Sequence, residues 1–252
     1  MRIDLNSDLG EGYGPWVMGN DALILDSVTS ANIACGGHAG DPETMYRTLR
    51  LAVDRGVTVG AHPGYADREG FGRRAIPMQP AEIGRMVAAQ VGALTALAGL
   101  AGSLVRYVKP HGALGNLAAA DTVVAKAIVS AVRAIDPALA ILAISGTRLE
   151  SAAREEGLAV FLEIFADRAY LSNGQLMPRS QPGAVLHDAK EAADRLIDYL
   201  KTGKMPVPGA EAIALKADSV CVHGDSPEAV EMARHVKLRL EAEGVVLASY
   251  FS

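Results

Sequence analysis

Short apolar runs rich in β-branched residues alternate with helical patterns along the whole chain. Runs at 2–5, 27–34, 58–61, 104–108, 140–144, 159–165, 219–222 and 245–249 read as strands. Between them, 42–55, 80–98, 121–134, 148–156, 188–200 and 227–243 repeat apolar residues at spacings of three and four, as in Ile83, Val87, Val91 and Leu94. Asp41-Pro42-Glu43 and Ser226-Pro227-Glu228 each place a capping side chain before a proline at the first helical position. Near-continuous apolar strands separated by helices predict a parallel sheet covered by helices. Seven or eight such units in 252 residues predict closure into a β/α barrel. No dinucleotide-binding glycine pattern follows the first strand, which argues against an open sheet. No linker or low-complexity segment divides the chain, so residues 1–252 are expected to form a single barrel domain, with 170–184 and 202–210 as long loops.

Composition narrows the class. Half of the residues are apolar and 21% are charged, which suffices for a large core. Two cysteines, Cys35 and Cys221, make no disulfide framework, so a reducing cytoplasm is the expected compartment. The amino terminus lacks the apolar stretch of a signal peptide. Residues 86–105 carry no charge over 20 positions, the length of a membrane span. That stretch is rich in Ala and Gly and holds Gln90, Thr95 and Ser103, so a buried helix running into a strand is expected and no membrane. A net charge of −5 without a basic cluster excludes nucleic acid as the expected partner.

In a parallel barrel the working groups gather at the carboxyl ends of the strands. Polar residues fall there in this sequence. The first strand runs into Asn6-Ser7-Asp8-Leu9-Gly10-Glu11, the second into Cys35-Gly36-Gly37-His38-Ala39-Gly40-Asp41, and the third into His62-Pro63-Gly64, followed by Gly70-Phe71-Gly72-Arg73-Arg74. The fourth runs into Lys109-Pro110-His111, the sixth into Asp167-Arg168 and the seventh into His223-Gly224-Asp225. Taken singly, each has a plain explanation: Asp41 and Asp225 as helix caps, a histidine as a hydrogen-bonded structural group, Arg73-Arg74 as a surface pair, Cys35 as a buried thiol. Taken together they point to one site, because four of six histidines (38, 62, 111 and 223) share one structural level, whereas His187 precedes a helix and His235 lies inside one.

The residue types suit acid–base work by Asp8 and Glu11, and metal binding or proton transfer by His38, His62 and His111. Lys109 suits an oxyanion or a phosphoryl oxygen, and Arg73 and Arg74 a carboxylate or phosphate. Asn6, Asp41, Asp167, His223 and Asp225 are candidate substrate contacts. The set suggests hydrolysis of a polarised carbonyl or handling of a phosphorylated intermediate. No Gly-x-x-x-x-Gly-Lys-Ser/Thr phosphate loop is present.

These segments resemble, in order and spacing, the LamB/YcsF family, which supplies one component of ATP-dependent 5-oxoprolinase. The stretches that carry it run from Asp4-Leu5-Asn6-Ser7-Asp8 through Asn32-Ile33-Ala34-Cys35-Gly36-Gly37-His38 and Val108-Lys109-Pro110-His111-Gly112 to Cys221-Val222-His223-Gly224-Asp225. The family pattern often has an aromatic at the positions of Gly37 and Gly115, where this chain departs from it. The resemblance implies a distorted barrel of the glycoside hydrolase/deacetylase kind. It further implies opening of 5-oxo-L-proline to L-glutamate coupled to ATP hydrolysis, together with B and C subunits. ATP binding on this chain or on its partners, and a divalent metal, both stay open. Two other classes also stay open: a metal-dependent deacetylase or amidohydrolase acting alone, and a non-catalytic substrate-binding subunit.

Overall fold

The structure is a computed structural model that describes residues 1–224 and 228–251. Seven parallel strands close a barrel: β1 (Arg2–Leu9), β2 (Ser30–Ala34), β3 (Thr58–His62), β4 (Val105–Val108), β5 (Ala140–Ile144), β6 (Val160–Phe165) and β9 (Ser219–Val222). Pairing of β9 with both β6 and β1 completes the ring. The expected eighth strand is only the two-residue β10 (Val246–Leu247), which pairs with Arg2 and Ile3 at the start of β1. Helices α1 (Asp21–Leu25), α2 (Pro42–Asp54), α3 (Pro80–Ala101), α4 (Gly112–Ala120), α5 (Thr122–Ile135), α6 (Arg148–Glu155), α7 (Ala189–Thr202) and α8 (Ala229–Ala242) surround it. The expected cap at 226–227 lies outside the described residues.

The strands bury apolar side chains outward, against the helices. Ile3, Leu5 and Leu9 of β1 join Ile33, Val59, Val91 and Leu94 in the principal core, where each fully buried aliphatic side chain contributes about 1.5–3 kcal/mol. Helix α3 packs between α2 and α5 and buries Ile83, Val87, Val91 and Leu94, so the long uncharged stretch belongs to this shell and then enters β4. Inside the barrel lies a second, smaller cluster of Tyr107, Ala140, Leu142 and Phe251. Tyr107 reaches inward because position 60 is glycine: a Cβ there would fall inside the tyrosine ring. Its hydroxyl donates to Asn32 Oδ1 at 2.6 Å, joining this plug to the polar layer above it.

Three expectations need correction. Strand β1 continues to Leu9, so Asn6 and Asp8 are strand residues facing the barrel interior and not members of a turn. Residues 202–210, expected as loop, contain most of a hairpin in which β7 (Lys204–Val207) pairs antiparallel with β8 (Ala210–Ala214). The turn between them holds Gly209 at φ 70°, and Met205 and Val207 bury their side chains beneath α7. Helices α1 and α4 lie outside the predicted helical stretches; α4 is flanked and interrupted by glycines that obscure its period.

Candidate functional site

A cavity of about 360 Å³ opens at the carboxyl ends of the strands, lined among others by Asp8, His62, Arg73, Lys109, His111, Glu163, Phe165, Arg168, Arg179 and His223. Its floor is a buried charge network. Lys109, directly after β4, places Nζ 3.1 Å from Asp8 Oδ1 and 3.0 Å from Glu163 Oε2, with Asn6 Oδ1 at 3.3 Å and Cys221 Sγ at 3.1 Å. Burial alone would push the ammonium toward neutrality, but Asp8 and Glu163 outweigh it and hold Lys109 well above its usual range. Burial likewise disfavours the Asp8 carboxylate, yet His62 and Lys109 hold it well below the usual range. For Glu163 the balance falls the other way, with burial outweighing Lys109 and raising its pKa. The two carboxyl groups are thus shifted in opposite directions.

The side chains beneath keep this trio in place. Asn32 donates to Asp8 Oδ1 at 2.8 Å and to Asn6 Oδ1 at 2.7 Å, and Asn6 donates to Ser219 Oγ at 2.7 Å. Asn6 therefore acts beneath the cavity and does not line it.

Beside the lysine lies a cluster of Glu11, His38, His62 and His111, all buried. His62 Nδ1 lies 2.7 Å from the Lys109 carbonyl, and His111 Nε2 lies 2.8 Å from the Phe71 carbonyl. A carbonyl only accepts, so both nitrogens are donors, and in neutral rings the lone pairs sit on His62 Nε2 and His111 Nδ1. Those two nitrogens face each other at 2.9 Å. Asp8 Oδ2 is 3.3 Å from the first, and Glu11 Oε1 is 3.7 Å from the second. His38 stacks flat on His111, with centroids 3.6 Å apart, and its Nε2 meets Glu11 Oε1 at 3.3 Å. Burial first, and the neighbouring histidines next, push His38 and His111 well below the usual imidazole range. Nitrogens of the three histidines and a Glu11 oxygen converge within 4.8 Å of one another, an arrangement that a cation can join. Ligand imidazoles characteristically donate their second nitrogen to a carbonyl, as His62 and His111 do here. This buried cluster can hold a metal ion.

The loop that supplies one of these carbonyls is strained. Phe71 has φ 53°, left-handed for a residue with a side chain, a conformation that costs about 1–3 kcal/mol. Its ring packs edge-on against both His38 and His111, which offsets the strain and aims its carbonyl.

The other wall comes from β6 and β9. His223 Nδ1 lies 2.6 Å from Asp167 Oδ2, and because a carboxylate accepts, Nε2 of the neutral ring is left as a base. Burial opposes the Asp167 charge, but His223 and Arg179 hold that carboxyl below its usual range. Arg195 donates to the carbonyls of Phe165 and Ala166, bracing the end of β6.

The remaining candidates lie elsewhere. Asp41 caps α2, accepting from the amides of Glu43 and Thr44 at 3.0 Å each. Arg74 pairs with Asp67 on the surface and does not line the cavity, whereas Arg73 does. Asp225 lies outside the described residues. Cys35 is a buried thiol that burial pushes up to about 12. Glu163, Asn32 and Arg179 join the site without having stood out as candidates in the sequence, and Arg168, noted there only as following the sixth strand, joins them. Glu163 and Asn32 are polar positions inside apolar strands, a signal that the sequence does carry. At Gly115, which lines the cavity, an added Cβ would stand 2.5 Å from the Pro110 carbonyl, so no side chain fits without movement of α4. Gly37 is equally closed, by Gln90 Oε1 at 2.5 Å.

A parallel seven-stranded barrel with a charged, imidazole-rich cavity at its strand ends defines a class of site built for polar chemistry on a small molecule. The particular family follows from comparison: the LamB/YcsF family pattern matches residues 3–251, and the chain belongs to that family. It is 52% identical to the A component of 5-oxoprolinase from Gluconobacter oxydans, over 97% of this chain and 96% of that one. It is 51% identical to the protein of the same name from Azorhizobium caulinodans, over 98% of each. The crystal structure of a lactam utilization protein from Thermus thermophilus superposes with a TM-score of 0.93 at 44% identity, covering 99% of this chain and all of that one. A T48 deacetylase shares the fold alone, with a TM-score of 0.50 at 14% identity over 98% of this chain and 87% of that one.

Proposed function

We propose that this chain is the lactam-opening component of an ATP-dependent 5-oxoprolinase, converting 5-oxo-L-proline to L-glutamate in the cytoplasm with B and C subunits. The observation that carries this reading is the cavity floor. A lysine compensated by two carboxylates stands beside a His–Asp pair, in a chain about half identical to 5-oxoprolinase A components over nearly their full length. A lactam is a weak electrophile. Its opening needs charge stabilisation at the carbonyl oxygen, a base for water and an acid for the ring nitrogen.

Lys109 supplies the first, at a fixed position that needs no reorganisation. His223 Nε2, oriented by Asp167, takes the proton of the attacking water as the new C–O bond forms. As the C–N bond breaks, the proton held on His223 passes to the ring nitrogen, with the Glu163 carboxylate, whose pKa burial raises, suited to relay it. Glu11, His38, His62 and His111 are the residues that would hold a divalent metal, with Phe71 fixing the His111 tautomer. Such an ion, when bound, supplies Lewis-acid polarisation of the carbonyl. ATP is consumed within the assembled complex: phosphoryl transfer to the lactam oxygen, releasing ADP, would make a better target for water, with Lys109 holding the phosphorylated oxygen. Ring opening would leave an acyl phosphate, and a second water would release phosphate and glutamate.

Single-turnover assays of the reconstituted complex test this. Glutamate formation is expected to stop when Lys109→Ala replaces the wild-type chain. Near-normal glutamate formation would remove Lys109 from the chemistry, and normal turnover without this chain would make it a bystander. The histidine cluster favours one other reading, a metal-dependent amidohydrolase acting alone, which stoichiometric metal with ATP-independent lactam hydrolysis would establish.

A further inference from the structure

The charges around the cavity are unequal. Its lining holds the carboxylates of Asp8 and Glu163 against four cations, Arg73, Lys109, Arg168 and Arg179, in a chain whose net charge is −5. At the floor Lys109 is compensated by both carboxylates. Arg73, Arg168 and Arg179 make up the rest of the cationic lining, beside the carboxylate of Asp167.

Arg168 is the most committed of these. It is 5% exposed, and its Nε and Nη2 donate to the carbonyls of Ala184 and Met177 at 3.2 and 2.6 Å. Those bonds pin the guanidinium plane against the loop that carries Arg179. Burial, with Arg179 and Arg73 adding like-charge repulsion, lowers Arg168 to about 10. The adjacent carboxylate, Asp167, already accepts from His223 at 2.6 Å. An anion would relieve the repulsion on a buried guanidinium, and a fork of N–H donors matches a carboxylate in two-pronged fashion.

We infer that Arg168 and Arg179, with Arg73 lining the same cavity, form a carboxylate-binding subsite that orients an α-carboxylated lactam with its ring amide toward Lys109. The inference rests on the substrate reading above and deepens it. The floor holds the amide oxygen, so the arginine end is left for the carboxylate, and a cavity of about 360 Å³ brings both ends within reach of one small ring. Arg168 and Arg179 are thus specificity-determining: they separate 5-oxoproline from the same ring without its carboxylate.

Calorimetric titration of the full-length chain with 5-oxo-L-proline and with 2-pyrrolidinone tests this. Wild type is expected to prefer 5-oxoproline, and Arg179→Gln, a substitution in a half-buried loop, to bind it about tenfold more weakly or worse, with 2-pyrrolidinone affected less than twofold. Arg168→Lys, which keeps the charge but loses the fork, should behave alike. Its thermal unfolding is followed in parallel, and Arg179→Gln decides if it does not fold. Wild-type affinity for 5-oxoproline in Arg179→Gln, or equal loss of both ligands, would overturn the subsite alone. A wild-type chain that binds neither compound would overturn the substrate reading and the subsite with it.

Discussion

The two halves of the barrel contribute to one cavity in different ways. Strands β1 to β4 deliver their groups in glycine-rich turns and strand ends, and these converge on the Glu11–His38–His62–His111 cluster and Lys109. Strands β6 and β9 deliver theirs from inside a strand, as Glu163, from just past a strand end, as Arg168 and His223, or from a long excursion, as Arg179. The first half is compact and self-braced, down to a strained Phe71 that fixes a histidine tautomer. The second half adds the His223–Asp167 pair, Arg168 and Arg179. The half that could hold a metal and the half proposed to orient substrate can therefore be broken separately.

Lys109 bridges the halves, so its loss has the largest effect. In Lys109→Met, Asp8 and Glu163 face each other without a cation, and stability should fall by about 3–5 kcal/mol in urea unfolding at neutral pH. Adding Glu163→Gln should recover part of that stability but no glutamate formation. Full stability in the single variant would show that the carboxylates find other compensation.

Metal content separates the halves more sharply. Equilibrium dialysis against zinc should give about one ion per wild-type chain and far less for His62→Ala or His111→Ala, because a ligand set is lost. His223→Ala, in the other half, should keep the ion while losing turnover. Equal zinc binding in all of these variants would place the ion elsewhere.

The pH response probes the second half. The Asp167 carboxyl is held below its ordinary 3.8, so its contribution to stability is present above that value and is lost as pH falls through the folded-state pKa. His223→Ala removes the hydrogen-bonded partner that most lowers it. That variant should be less stable than wild type at pH 6, with the difference shrinking below pH 4, as read from acid unfolding curves. A constant difference across that range would mean the pair is not charge-coupled.

The smallest effects concern candidate substrate contacts that lie outside the cavity lining. Asp41→Ala should cost about 1 kcal/mol of stability through loss of the α2 cap and leave KM unchanged. Arg74→Ala should leave KM unchanged where Arg73→Ala raises it.

Legibility in the sequence follows the same division. Glycines that shape a turn also advertise it, so His38, His62, Lys109 and His111 stand out at strand ends. The alternation Ile3-Asp4-Leu5-Asn6-Ser7-Asp8-Leu9 reads as a strand followed by a turn, because polar residues ordinarily leave a sheet. In a closed barrel they face a polar interior instead, where Asn32, Asn6 and Lys109 satisfy them. Glu163 is hidden by the same assumption. Arg179 stands in a loop with no periodicity to place it, and only the folding of residues 169–184 over the strand ends brings it to the cavity. Asp41 and Arg74 share the local signals of site residues, and sequence spacing cannot tell a capping carboxylate or a surface ion pair from a ligand.

A crystal structure of this chain with 5-oxo-L-proline tests the central claim most directly. The lactam oxygen is expected next to Lys109, the ring nitrogen toward Glu163 and the carboxylate on Arg168 and Arg179. Substrate bound away from the strand ends, or bound with its carboxylate on Lys109, would contradict it.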